Sequence, residues 1–164
     1  MDKELENMLS QAFELCEDGN YSEAVKLYDS IIQKDPENIH ALIDKAVTLQ
    51  NLGKVSQALR LYDKALKINP QNLDALINKG SALHTSEKYT EAILCYDAAI
   101  KVDKKCAMAL AYKGLSLGEL GDLPHAINHF KKALAIDRDY DLAIISKKRA
   151  QDLLRDSQKK SKKR

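Results

Sequence analysis

An all-α array of stacked helical hairpins is the fold this sequence predicts, and three observations predict it. Landmarks return every 34 residues: Ala24, Ala58, Ala92 and Ala126 form one series, and Tyr28, Tyr62, Tyr96 and Phe130 a second. Ile31, Ala65, Ala99 and Ala133 form a third, and Ala12, Ala46, Gly80 and Gly114 a fourth. Each period carries two apolar stripes at helical spacing, as in Leu42, Ala46 and Leu49 followed by Ala58, Leu61, Tyr62 and Ala65. Between the stripes, Gly19, Gly53 and Gly121 fall at one recurring place, where a left-handed residue closes a helix without steric cost. Units of this length cannot bury their apolar faces alone, so neighbours stack and function lies on a surface rather than in a central cleft.

The period divides the chain at 5–38, 39–72, 73–106 and 107–140, each unit a helical hairpin. In every unit the small eighth and twentieth places let the two helices approach closely, and the aromatic at the twenty-fourth fills the gap to the next unit. Between units, Asp35 before Pro36 and Asn69 before Pro70 are expected to cap the next first helix, with the proline in its first turn. Asp103 and Asp137 keep the cap where Lys104 and Arg138 replace the proline. In the third unit Ser86, Glu87 and Lys88 stand where the others have glycine, so that turn is expected to be the softest or to close differently.

After the fourth unit a capping helix is expected over about 141–156, packing Leu142, Ile145, Leu153 and Leu154 on its neighbour. Lys148 and Gln151 replace the small or apolar residues that a further hairpin requires, so stacking is expected to stop there. Residues 1–157 are read as one domain and 158–164 as a basic, disordered tail.

Composition narrows the class. With 45% apolar and 30% charged residues the chain is neither disordered nor membrane-embedded in type, and it has no apolar run long enough to span a bilayer. The acidic start lacks the basic-then-apolar order of a secretory signal, so a cytoplasmic protein without membrane insertion is expected. Cys16, Cys95 and Cys106 show no CxxC spacing and read as ordinary thiols. Residues 155–164 hold six basic side chains against one acidic, a net of +5 within a chain total of +2, which leaves −3 for the rest.

The sequence of small, small, aromatic, small and proline places, seen in Leu42, Ala46, Leu49, Gly53, Ala58, Tyr62, Ala65 and Pro70, resembles the tetratricopeptide repeat family. The resemblance covers residues 5–140 and departs from the family where Met8, Leu42, Leu76 and Leu110 occupy a tryptophan-like place. It implies a right-handed superhelix whose first helices line a concave groove, in a non-enzymatic adaptor that holds a protein or peptide ligand.

By that resemblance the inward places are the second, fifth, sixth, ninth, twelfth and thirteenth of each unit. The fifth and ninth pair Leu9 with Phe13, Ile43 with Val47, Ile77 with Ser81, and Ala111 with Leu115, with Met108 and Tyr112 beside the last pair. An apolar floor is therefore expected, rimmed by His40, Asp44, Asp74 and Asn78, and suited to a peptide segment or amphipathic helix with basic flanks. The competing expectation is that the floor residues pack on one another. The carboxylate grip of chaperone-tail binders needs cations that neither register supplies, and the asparagine ladder of glycosyltransferase-linked arrays is met only by Asn78.

On the first helix, Leu5, Met8, Leu9 and Phe13 spread apolar groups around the axis, so self-association into a homo-oligomer, or a partner, is expected at that end. His125 and His129 are read as solvated convex-face residues, with no metal, no cofactor and no catalytic constellation expected. The alternative function is an accessory nucleic-acid or ribonucleoprotein factor, with nucleic acid expected only through the basic tail, which lacks interleaved aromatics.

Overall fold

The computed structural model describes residues 3–161, which form helices throughout with no strand among them. They are α1 (Lys3–Glu17), α2 (Tyr21–Lys34), α3 (Ile39–Asn51), α4 (Val55–Ile68), α5 (Leu73–Thr85), α6 (Tyr89–Val102), α7 (Ala107–Glu119), α8 (Leu123–Ile136) and α9 (Asp141–Ser161). Odd-numbered helices begin units and even-numbered ones complete them. Two compact units divide the chain between Ala82 and Leu83, inside α5.

In the first unit α1 packs on α2, α2 on α3 and α3 on α4. Its core is two successive clusters, one joining Leu5, Ala12, Ala24, Tyr28, Ile31 and Ala41, the other joining Leu42, Ala46, Leu49, Ala58, Tyr62 and Ala65 with Ala75 and Ala82 of α5. In the second unit α7 packs on α6, α8 and α9, around Leu110, Ala111, Ala126, Ile127, Phe130 and Ala133 together with Ala143 and Ala150 of α9. Tyr28, Tyr62, Tyr96 and Phe130 are all buried, as the gap-filling place requires. Burial also raises the pKa of the three phenols, which keeps them neutral.

The turns inside the hairpins share one closure. Lys54 N–H donates to Leu49 O at 2.8 Å and Gly53 N–H to Gln50 O at 2.9 Å, the two bonds of a Schellman cap. Asn20 and Gly19, Lys88 and Glu87, and Asp122 and Gly121 repeat the pair. Glu87 holds φ 59°, beside 77°, 72° and 81° at the three glycines. The expected different closure in the third unit is therefore corrected. The flanking helices impose the same geometry, and the glutamate carries the strain.

The caps between units are corrected as well. Asn38 Oδ1 accepts from Ala41 N–H at 3.0 Å, Asn72 Oδ1 from Ala75 N–H at 2.8 Å, and Cys106 Sγ from Ala109 N–H at 3.4 Å. Asp35, Asn69, Asp103 and Asp137 sit three residues earlier, and each accepts from the N–H two residues on, forming an Asx-turn that holds the linker. Pro36 and Pro70 therefore lie in the linkers and not in a helix's first turn. The capping helix is also longer than expected, since residues 158–161 of the expected tail continue α9; residues 162–164 lie outside the described residues.

Lateral ties between successive first helices recur with the same period. Cys16 Sγ lies 3.2 Å from Thr48 Oγ1, and His84 Nδ1 lies 2.9 Å from Ser116 Oγ, the same two places two units later. Ala82 interrupts the series, and Gln50 instead accepts from Tyr62 Oη at 3.3 Å. Ion pairs recur too: Asp29 with Lys45, Asp63 with Lys79 at 2.7 Å, and Asp97 with Lys113 at 2.6 Å. The next pair in register is Lys131 and Lys147, two cations.

Candidate functional site

The wall made by the first helices differs from the expected apolar floor. Ile43 and Ile77 are each only 6% exposed and Ala111 is fully buried, so the fifth place belongs to the core. Its cause is stacking: Ile43 clusters with Ala75 and Ala82, and Ala111 with Ala143 and Ala150. Leu9, Val47, Ser81, Tyr112 and Leu115 are half-buried, while Phe13 at 57% and Met108 at 45% stand open. Tyr112 is held edge-on against buried Tyr96, with ring centres 5.9 Å apart.

In the first compact unit, up to Ala82, the open wall is polar. His40 and Asp74 are exposed, and Asp44 and Asn78 half-buried, above the closed isoleucines. Asp44 has its carboxyl pKa raised by burial first, offset by His40 and reinforced by Asp74. The expected association surface on α1 also contracts. Leu5 is buried against α2, and Met8 and Leu9 pack partly into the same cluster, because an amphipathic helix turns most of its apolar arc to its partner. Phe13 alone of these remains prominent.

The second compact unit, from Leu83 onward, carries a cleft of about 140 Å³ where α7, α8 and α9 meet. Gly114, Leu115 and Gly118 come from α7, Leu123 and Phe130 from α8, and Ser146, Ala150 and Leu153 from α9, with Glu119 and Arg149 also at the cleft. Gly114 is required here, since a Cβ would meet Phe130 Cε1 at 2.8 Å. Leu153 is 51% exposed and Ile145 67%, against the expectation that both pack on the fourth unit. They occupy the inward places of a first helix that no later helix among the described residues covers, whereas Leu142 and Leu154 do pack. Along this helix Lys147, Lys148 and Arg149 make no ion pair among the described residues.

Gly118, Glu119, Ser146 and Arg149 are absent from the sequence reading, which takes Leu153 only as a packing residue of the capping helix. The signal was present: they are the twelfth and thirteenth places of unit four and the sixth, ninth and thirteenth of α9. Counting those places through α9 finds them.

His125 is exposed and pairs with Asp122 at 2.8 Å, lowering that carboxyl's pKa chiefly by a hydrogen bond. His129 is half-buried rather than solvated, and its buried Nδ1 has no hydrogen-bond partner. Burial, then Lys113 and Lys132, push its pKa down to about 4. Among the described residues no cluster of three or more His, Cys, Asp or Glu could hold a metal, and no helix is long and apolar enough to cross a membrane.

Stacked hairpins with close-packed small places and an open first-helix wall define a helical-repeat interaction scaffold. The chain belongs to the tetratricopeptide repeat family: the family described as "Psidin, N-terminal TPR repeats region" matches residues 6–136. No curated protein sequence matches it. Among solved structures it is similar to pilF of Pseudomonas aeruginosa, with a TM-score of 0.86 and 20% identity over 94% of this chain and 71% of that one. It is also similar to MamA from Desulfovibrio magneticus RS-1, with a TM-score of 0.75 and 20% identity over 95% and 98%. A thermophilic TPR protein of Thermus thermophilus gives 0.74 and 22% over 84% and 77%. At these identities the likeness shows the fold, an all-α TPR solenoid.

Proposed function

We propose that the protein is a non-enzymatic adaptor that holds a polypeptide segment against the first-helix wall, with the α7–α9 cleft as its anchor site. The observation that carries this reading is the cleft itself, where apolar Leu115, Leu123 and Leu153 surround room for one large side chain beside an unpaired Arg149. Met108, Tyr112 and Ile145 extend the apolar surface on the same two helices, so an amphipathic helix has more than one residue to rest on. The unpaired cations of α9 favour a ligand with acidic flanks, in place of the basic flanks expected from the rim of the first unit. A cytoplasmic setting suits the cysteines, since Cys16 and Cys106 serve as hydrogen-bonding thiols.

The test is affinity capture from cell extract with wild type and an Arg149→Glu, Leu153→Glu double variant of equal helicity, read by quantitative mass spectrometry. Partners retained by wild type and lost by the variant support the reading. An identical set from both overturns it. The second reading, a ribonucleoprotein accessory factor, draws on the same basic helix, and partners that disappear on nuclease treatment would favour it.

A further inference from the structure

We propose that the α7–α9 cleft of one molecule receives Phe13 from α1 of a second copy, joining the molecules head to tail; this rests on the reading of that cleft as the polypeptide-binding site. Phe13 projects from α1 with 57% of its surface open. Leu9 lies one turn before it, and Glu6 and Glu17 bracket it along the same stripe. The adjoining outer face of α1 is polar, since Asn7, Gln11 and Glu14 are exposed where later first helices bury Ala41 and Thr48 or Ala109 and Ser116. Phe13 is thus an isolated aromatic knob with acidic neighbours.

The cleft matches it in size and sign. Its volume of about 140 Å³ is close to the ~150 Å³ apolar cavity that accepts a benzene ring. The helix that forms one side, α9, carries a net +3, and α1 a net −3. Arg149 stands at the cleft without a carboxylate partner among the described residues. Glu119, also at the cleft, repels acid, so Glu17 must approach from the Arg149 side, and this sets the direction of the incoming helix. Knob and cleft are different surfaces of one chain, so each junction leaves one of each free and assembly continues.

That topology gives a test. Phe13→Ala removes the knob and Leu153→Glu spoils the cleft, both at exposed positions. Static light scattering up to about 1 mM protein, the range of a weak single-anchor contact, should show the wild-type mass rising with concentration and each variant alone monomeric. An equimolar mixture of the two variants should form a dimer that goes no further, because only one junction can be made. Wild type that stays monomeric, either variant associating alone, or a mixture that remains monomeric overturns the proposal. If these fail while capture of other proteins still depends on Arg149 and Leu153, the adaptor reading stands and only self-docking falls.

Discussion

At Gly114 a single missing carbon sets how near α7 comes to α8. Ala12 and Ala46 occupy the same place opposite tyrosines, yet here the Phe130 ring leaves no room for a Cβ. Gly114→Ala should therefore destabilise by about 1–3 kcal/mol in urea unfolding, despite alanine's better helix propensity. Glu87 presents the reverse case, a side chain on a left-handed backbone with its neighbours' hydrogen bonds intact. Glu87→Gly should raise stability by about 0.5–1 kcal/mol, read as a higher midpoint with an unchanged slope. The period locates both positions. It cannot say whether the third turn changes shape or keeps it, because that depends on how firmly α5 and α6 hold their ends.

Along α8, His129 occupies the place of Leu27 and Leu61 and adds a ring nitrogen that the packing leaves without a partner. The denatured chain takes up a proton there near pH 6.5, whereas the folded chain resists until about 4. Between those values the unfolded state binds more protons, so this contribution is fully present above 6.5 and declines as pH falls towards 4. His129→Leu should stabilise by about 1–2 kcal/mol at neutral pH and flatten that acid slope in thermal melts taken from pH 7 to 4. His84, whose pKa burial also lowers, leaves a residual slope of the same sign. Helical spacing places His129 on a solvated face, but periodicity marks only the centre of a buried arc, and His129 lies at its margin. The linkers mislead for a related reason: an Asx-turn and a helix cap use the same residue types, so Asp35 and Asn38 are separable only by hydrogen-bond geometry.

For the molecule, the repeat register made the all-α array and its recurring small and aromatic core places legible, but not the buried Ala75, Ala82, Ala143 and Ala150 that close the fifth place, so the wall proposed for a ligand was legible only in part. Stacking closes the fifth place in the body of the array and opens it in α9, a contrast between Ala111 and Ile145 that one unit read alone cannot contain. The ladder of ion pairs behaves likewise, with three rungs made and a fourth reversed at Lys131 and Lys147. Lys131→Asp should supply that rung, adding up to about 1 kcal/mol at low salt and less at high salt, measured by chemical unfolding at two ionic strengths. The missing rung lies between α8 and α9, two of the helices that line the cleft. In amide exchange α9 should open before α7, so the helix proposed to hold a ligand is also the part of the scaffold readiest to let go, and an occupant that brought carboxylates to those lysines would tighten the hold that admits it.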